Sequence, residues 1–259
     1  MNTALDAATF QSQLGKYAVI YTPAHWPQWL IVATVLLLVM LAVLGLHGAL
    51  RYRSARASQP SSGRPQYLYP LPVRLWHGSN GALFVLLLGS GLTTHFALLP
   101  AGATAWLVGF HIVCGFLLAI AWVCFIAINI ATGNGRHYVV QVTGLAARMA
   151  LQTKFYFCGI LRGEPHPFHP NATSKFNPLQ QITYVGVVYA LMPLLLLTGL
   201  LSYCPEWLGA LAGLRHWIFV LHQILAAAGL FFLCGHLYLC TTGRTPTETF
   251  RTMIDGYHR

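Results

Sequence analysis

The chain has 259 residues, of which 56% are hydrophobic and only 8% charged, far below the roughly 25% charged fraction of soluble globular domains. That composition excludes a soluble enzyme, and several runs of about 20 apolar residues, each enough to cross a hydrocarbon core of about 30 Å, use up the length. A net charge of +10 raises the question of nucleic acid, but the positive residues sit in connections between apolar runs, where membrane topology accounts for them and no nucleic-acid partner is needed.

In chain order, residues 1–28 are mixed and nearly uncharged. They lack the basic stretch and short apolar core of a secretion signal and read as an outer segment ahead of a retained helix. Apolar length then predicts a transmembrane helix at 29–50 and four more at 76–99, 105–130, 180–203 and 214–240. The segment 51–66, containing SARASQPSSGRPQ (54–66), reads as a flexible cytoplasmic linker that separates the extra first helix from a core spanning 67–259. Within the core, Val142, Leu145, Met149, Tyr156 and Ile160 recur near helical spacing beside Arg148 and Lys154. Segment 139–162 is therefore expected to lie as an amphipathic helix on the inner membrane surface. No convincing repeat is visible.

Five crossings put the termini on opposite sides. Arg51, Arg53, Arg56, Arg64 and Arg74, then Arg136, Arg148, Lys154, Arg162 and Lys175, then Arg244, Arg251 and Arg259 fall on one side, against Lys16 and Arg215 on the other. The positive-inside rule puts the N-terminus outside and the C-terminus in the cytoplasm. The six cysteines include no Cys-x-x-Cys pair, which argues against a disulfide framework, a zinc knuckle, an iron–sulfur site or covalently attached haem.

Ionisable groups inside spans are costly and usually functional. In HQILAAAGLFFLCGH (222–236) two histidines are fourteen residues apart, a rise of about 21 Å, and fourteen steps of 100° miss four full turns by only about 40°. His222 and His236 therefore share roughly one face at two depths. A bis-histidine haem takes one neutral imidazole from each side, and partners stand at matching depths: His77 near the cytoplasmic start of the second helix for His236, and His111 near the outer start of the third for His222. The expected fold class is thus all-α, an integral membrane four-helix haem-binding bundle with one additional N-terminal transmembrane helix. Gly78, Gly81, Gly115, Gly229 and Gly235 would admit a bulky macrocycle close to backbone.

His95 lies eighteen residues after His77 and competes with His111 for the ligand role, although its place before Pro100, where the helix ends, favours an interfacial histidine. His47 and His216 stand at helix ends, and His25, His137, His166, His169 and His258 in loops or tails. His166 and His169 lack a third metal ligand. KFNPLQQITY (175–184) gathers Lys175, Asn177, Gln180, Gln181 and Tyr184 where the chain re-enters the membrane. These groups suit the carbonyls of a quinone, while Asn177 and Pro178 equally suit the cap and first position of a helix.

YLYPLPVRLWH (67–77), TGNGRHY (132–138), KFNPLQQITY and HQILAAAGLFFLCGHLYLC (222–240), with TPAHWPQWL (22–30) and the closing MIDGYHR, together resemble the cytochrome b subunit of thiosulfate reductases. That family sits within the membrane diheme cytochromes b that serve formate dehydrogenases and nickel–iron hydrogenases. The resemblance implies two b haems with His77, His111, His222 and His236 as axial ligands, and a menaquinone site at Asn177 and Gln180. It also implies an iron–sulfur subunit and a molybdopterin catalytic subunit on the outer face of a bacterial inner membrane, which makes the N-terminus periplasmic. The chain itself would carry electrons from menaquinol to that complex, without performing the terminal substrate chemistry and with no catalytic residue of its own. The same ligands suit the reverse current, from a formate dehydrogenase or hydrogenase to quinone. A histidine-lined metal or proton transporter would need acidic groups inside the spans, and the predicted helices carry none.

Overall fold

The computed structural model describes residues 26–54, 65–168, 176–243 and 245–258. Six long helices dominate it: α1 (Gln28–Ser54), α2 (Leu71–His95), α3 (Ala101–Thr132), α4 (Leu145–Lys154, continued through a π turn into Ile160–Arg162), α5 (Pro178–Tyr203) and α6 (Arg215–Cys240). A short α7 (Glu248–Asp255) and two two-residue strands, β1 (Gln66–Tyr67) and β2 (Tyr257–His258), complete the described elements. The protein is an all-α integral membrane protein. Four helices are long and apolar enough to cross a bilayer, namely α1, residues 102–132 of α3, α5 and α6.

Five such helices were expected from the sequence. The one outside this set is α2, which at 25 residues has the length but is interrupted by Arg74, His77, Ser79, Asn80, Ser90, Thr93 and Thr94. It also begins at Leu71 rather than 76, because Pro70 and Pro72 bracket a first turn in which missing N–H groups cost nothing. The Pro70 carbonyl accepts from the N–H groups of Val73 and Arg74. The helix stops at His95, two residues before Ala97 adopts a positive φ of 49°.

α5 starts on a reciprocal cap. Asn177 Oδ1 accepts from the Gln180 N–H at 2.9 Å, Gln180 Oε1 accepts from the Asn177 N–H at 3.1 Å, and Pro178 occupies the first turn. Farther along, Val187–Leu191 forms a π turn just before Pro193, which cannot supply the next helical N–H; the wider turn absorbs that defect without breaking the span.

The chain divides into two compact units. The first holds Gly78–Phe125 and Leu191–Leu230 with the start of α1. Its helices close into a four-membered ring of contacts. Ser90 of α2 meets His111 of α3, Phe116 of α3 meets Tyr203 of α5 at 5.8 Å between ring centroids, Thr198 of α5 meets His222 of α6, and Phe84 of α2 lies under Gly229 of α6. A Cβ on Gly229 would stand 2.7 Å from Phe84 Cζ, so the glycine is what allows that approach. Cys114, Leu118, Met192 and Phe219 are buried here together with Ser90, Thr94, Thr104, Thr198 and Gln223, while many leucines and valines face outward. This inverted arrangement fits a lipid surround, because the bilayer is as apolar as leucine and polar side chains gain by turning inward.

The second unit comprises Val35–His77, Ile126–Ala190 and Phe231–Arg259. Here the latter half of α1 rests on the end of α6. Tyr238 approaches Gly48 and its hydroxyl bonds His47 Nδ1, while Arg51 Nη2 donates to the Thr241 carbonyl at 2.8 Å. Residues expected to be a flexible linker are helical to Ser54; positions 55–64, and 1–25 of the outer segment, lie outside the described residues. β1 and β2 pair antiparallel, Gln66 with His258 and Tyr67 with Tyr257, which joins the YLYP and MIDGYHR segments. Gly256 makes this possible with φ of 85° and a position where a Cβ would lie 2.6 Å from the Tyr69 carbonyl oxygen. Of the segment 139–162 expected as an amphipathic helix, residues 145–162 are helical and 139–144 are not, Gly144 turning the chain into the helix at φ of 63°. Leu151 and Phe157 are exposed and Gln152 and Phe155 buried.

Candidate functional site

Four helical histidines come together as two pairs, one in each unit. His111 of α3 and His222 of α6 stand with ring centroids 6.4 Å apart and planes inclined by 75°. His77 of α2 and His236 of α6 stand 6.0 Å apart at 49°. Two imidazoles bound to opposite faces of one iron, each at about 2.0 Å from the metal with the ring centre about 1.1 Å farther, would have centroids about 6 Å apart. Both pairs fit that requirement. The single helix α6 carries one member of each.

The His111–His222 pair is held by two matching hydroxyls. Ser90 Oγ lies 2.8 Å from His111 Nδ1, and Thr198 Oγ1 lies 2.9 Å from His222 Nδ1. Each hydroxyl also sits on a carbonyl one turn back in its own helix, Ser90 on Leu86 at 2.7 Å and Thr198 on Leu194 at 2.7 Å. A carbonyl only accepts, so the hydroxyl proton is committed there and the oxygen accepts from the imidazole N–H. Both rings are thereby set as Nδ1–H tautomers, which leaves the Nε2 lone pair for a metal. The next residue in each case is glycine. A Cβ on Gly91 would lie 3.5 Å from His111 Cε1, and one on Gly199 would lie 3.3 Å from His222 Cε1.

These supports are invisible to a search for intramembrane histidines. The signal that would have found them is short: LLLGSGL (86–92) and LLLLTGL (194–200) place a hydroxyl and a glycine at equivalent positions, each twenty residues after the proline that opens its helix, Pro70 and Pro178. The sequence thus holds a two-fold correspondence between α2 and α5 that its flanks obscure.

His95 lies near both His111 and His222, while those two rings pair with each other. The His95 Nδ1 lies 3.2 Å from Nε2 of the buried Gln223. His216 packs on Trp217 and His47 on Tyr238. His25, His169 and Lys175 fall outside the described residues. Among the described residues no group of three or more His, Cys, Asp or Glu side chains is arranged to hold a metal ion, and all six cysteines are free.

Around His236 the surroundings are aromatic. Phe232 stacks on it at 5.4 Å, Tyr184 of α5 meets it edge-on at 6.4 Å, and Phe176 meets Tyr184 at 5.0 Å. The polar opening of α5 is therefore brought to the His77–His236 pair within the second unit. Asn177 is buried, and besides its capping bond it donates from Nδ2 to the Tyr156 hydroxyl at 3.1 Å. Gln152, fully buried in α4, also bonds Tyr156 and lies 3.3 Å from His166 Nε2. Gln181 Nε2 donates to the Val139 carbonyl at 2.7 Å. Burial raises the Tyr156 phenol pKa above its ordinary value, against the opposing pull of the Asn177 and Gln152 amides. Burial likewise lifts Tyr138 to about 12, with Tyr189 and Tyr69 adding to it. In the sequence Tyr156 counts only as part of the apolar face of an amphipathic helix, and Gln152, between Leu151 and Thr153, carries no signal of its own.

Residues 68–256 match the family of prokaryotic cytochrome b561. The chain is also 54% identical over 260 residues to the putative cytochrome YdhU of Escherichia coli strain K12, a match that covers all of both chains. No solved structure matches.

Proposed function

The chain belongs to the prokaryotic cytochrome b561 family, and from that premise we propose that this membrane cytochrome holds two b haems and carries electrons between menaquinol and an oxidoreductase on the outer face. The observation that carries the reading is the pairing of His77 with His236 and His111 with His222, at 6.0 and 6.4 Å between ring centroids. Each pair brings two imidazoles to a separation that an iron between them would require, so these four histidines are the residues that would hold the haems.

When bound, haem supplies reversible one-electron transfer. The chain's own residues do the rest. α6 provides one ligand to each site, and its partners on α2 and α3 provide the other. Beside the His77–His236 pair, the capped opening of α5 is the proposed quinol contact, with Asn177 and Gln180 as its centre and Tyr184 between it and His236. Tyr156, with the Asn177 amide donating to its oxygen, keeps a hydroxyl hydrogen to donate in a hydrogen bond to an oxygen of the quinol. The positive residues around 51–74, 136–162 and 251 support putting this end at the cytoplasmic face, in the proposed setting of a bacterial inner membrane. The His111–His222 pair would hold the haem that serves the partner, an iron–sulfur subunit paired with a molybdopterin catalytic subunit as in a thiosulfate reductase.

The test is direct reduction. Purified holoprotein mixed anaerobically with a menaquinol analogue should show b-haem reduction in the visible spectrum. Haems reducible by dithionite but inert to the quinol would overturn the quinol-oxidising role.

A further inference from the structure

We infer that Ser90 and Thr198 are a matched pair of positioning residues which set the reduction potential of the haem bound by His111 and His222, and of that haem alone. The inference rests on the two-haem reading above. Its basis is a device built twice. On α2 and again on α5 a hydroxyl is anchored to the carbonyl one turn back, at 2.7 Å in both helices. From that anchor it accepts a hydrogen bond from Nδ1 of a histidine on the following helix, at 2.8 and 2.9 Å. The following glycine lets each ring lie against the supporting helix.

A serine or threonine inside an apolar helix needs only its own backbone carbonyl to be satisfied. That need does not explain why both hydroxyls also meet an imidazole, nor why both are buried, at 4% relative exposure each. The chemistry of a metal ligand explains both. An acceptor on Nδ1–H fixes the tautomer, orients the ring and makes Nε2 a stronger donor. A stronger donor favours ferric over ferrous iron and so lowers the potential. The His77–His236 pair has no such support: among the described residues neither ring has a hydroxyl at hydrogen-bond distance, and His236 has only the weak Cys240 Sγ contact, at 3.8 Å from Nε2. One site is tuned by two hydroxyls and the other by none.

The experiment uses purified full-length holoprotein in detergent, with haem quantitation, potentiometric titration and low-temperature EPR of the oxidised state. Ser90→Ala and Thr198→Ala should each raise the midpoint potential of the same haem and alter its low-spin EPR signal. The second haem should stay unchanged, and Ser90→Thr and Thr198→Ser should return near-native values. If Ser90→Ala loses one haem while Ser90→Thr retains it, the positioning role is equally supported. Two haems with native potentials in both alanine variants, equal shifts of both haems, or shifts of different haems by the two variants would overturn the inference while leaving the two-haem reading intact. A wild-type chain with fewer than two haems would instead overturn that reading.

Discussion

His77 and His236 face each other at 6.0 Å between ring centroids, with Phe232 stacked on His236 from its own helix and Tyr184 edge-on from α5. His236→Ala should therefore cost the chain one haem and leave the other. Haem quantitation on the purified variant is expected to fall from two per chain to one, and His77→Ala should give the same spectrum as His236→Ala. Loss of different haems in these two variants would separate residues that the structure brings together.

Asn177 serves two neighbours, capping α5 through Oδ1 and donating to Tyr156 through Nδ2. Asn177→Ser keeps a capping oxygen, whereas Asn177→Ala loses about 1 kcal/mol of cap. Both should slow haem reduction by quinol with haem content intact, because both lose the amide donor. If Asn177→Ser reduces at the native rate and only Asn177→Ala is slow, the residue acts as a cap and nothing more.

Gly256 stands at φ of 85° where a Cβ would lie 2.6 Å from both Tyr67 Cε2 and the Tyr69 carbonyl. Gly256→Ala should destabilise the pairing of β1 with β2 by about 1–3 kcal/mol. Limited proteolysis near the C-terminus is the readout. Faster cleavage is expected, and an unchanged pattern would contradict the contact.

Alkaline pH tests the buried phenols. Tyr138 is lifted to about 12, whereas an unfolded tyrosine titrates near its ordinary 10. Between those values the unfolded chain releases a proton that the folded chain keeps, so stability falls as pH rises. Tyr138→Phe should weaken the dependence of the thermal midpoint on pH above about 10. An unaltered slope would show that Tyr138 titrates like an exposed tyrosine.

The helices and the juxtaposition of the four histidines follow from spacing alone, since a fourteen-residue interval returns a helix nearly to one face and apolar length gives depth. What spacing does not convey is side-chain engagement. Ser90 and Thr198 look like isolated hydroxyls satisfied by their own backbone, and only their distances to His111 and His222 reveal the second bond. The first helix is similar. Nothing in its composition names a neighbour, yet His47, Gly48 and Arg51 share the end of α6 through Tyr238 and Thr241. The start of α2 was displaced because apolar length does not register Pro70 and Pro72, which open the helix ahead of its leucine-rich part. Asn177 and Gln180, by contrast, could be read from sequence as cap or quinone contact, and the structure shows the cap formed.

The central claim, that the chain holds two b haems between two histidine pairs, is tested most directly by haem quantitation with a reduced-minus-oxidised spectrum on the purified wild-type protein. Two b-type haems per chain are expected. A preparation that is folded and saturated with haem yet carries one per chain, or none, would contradict the account.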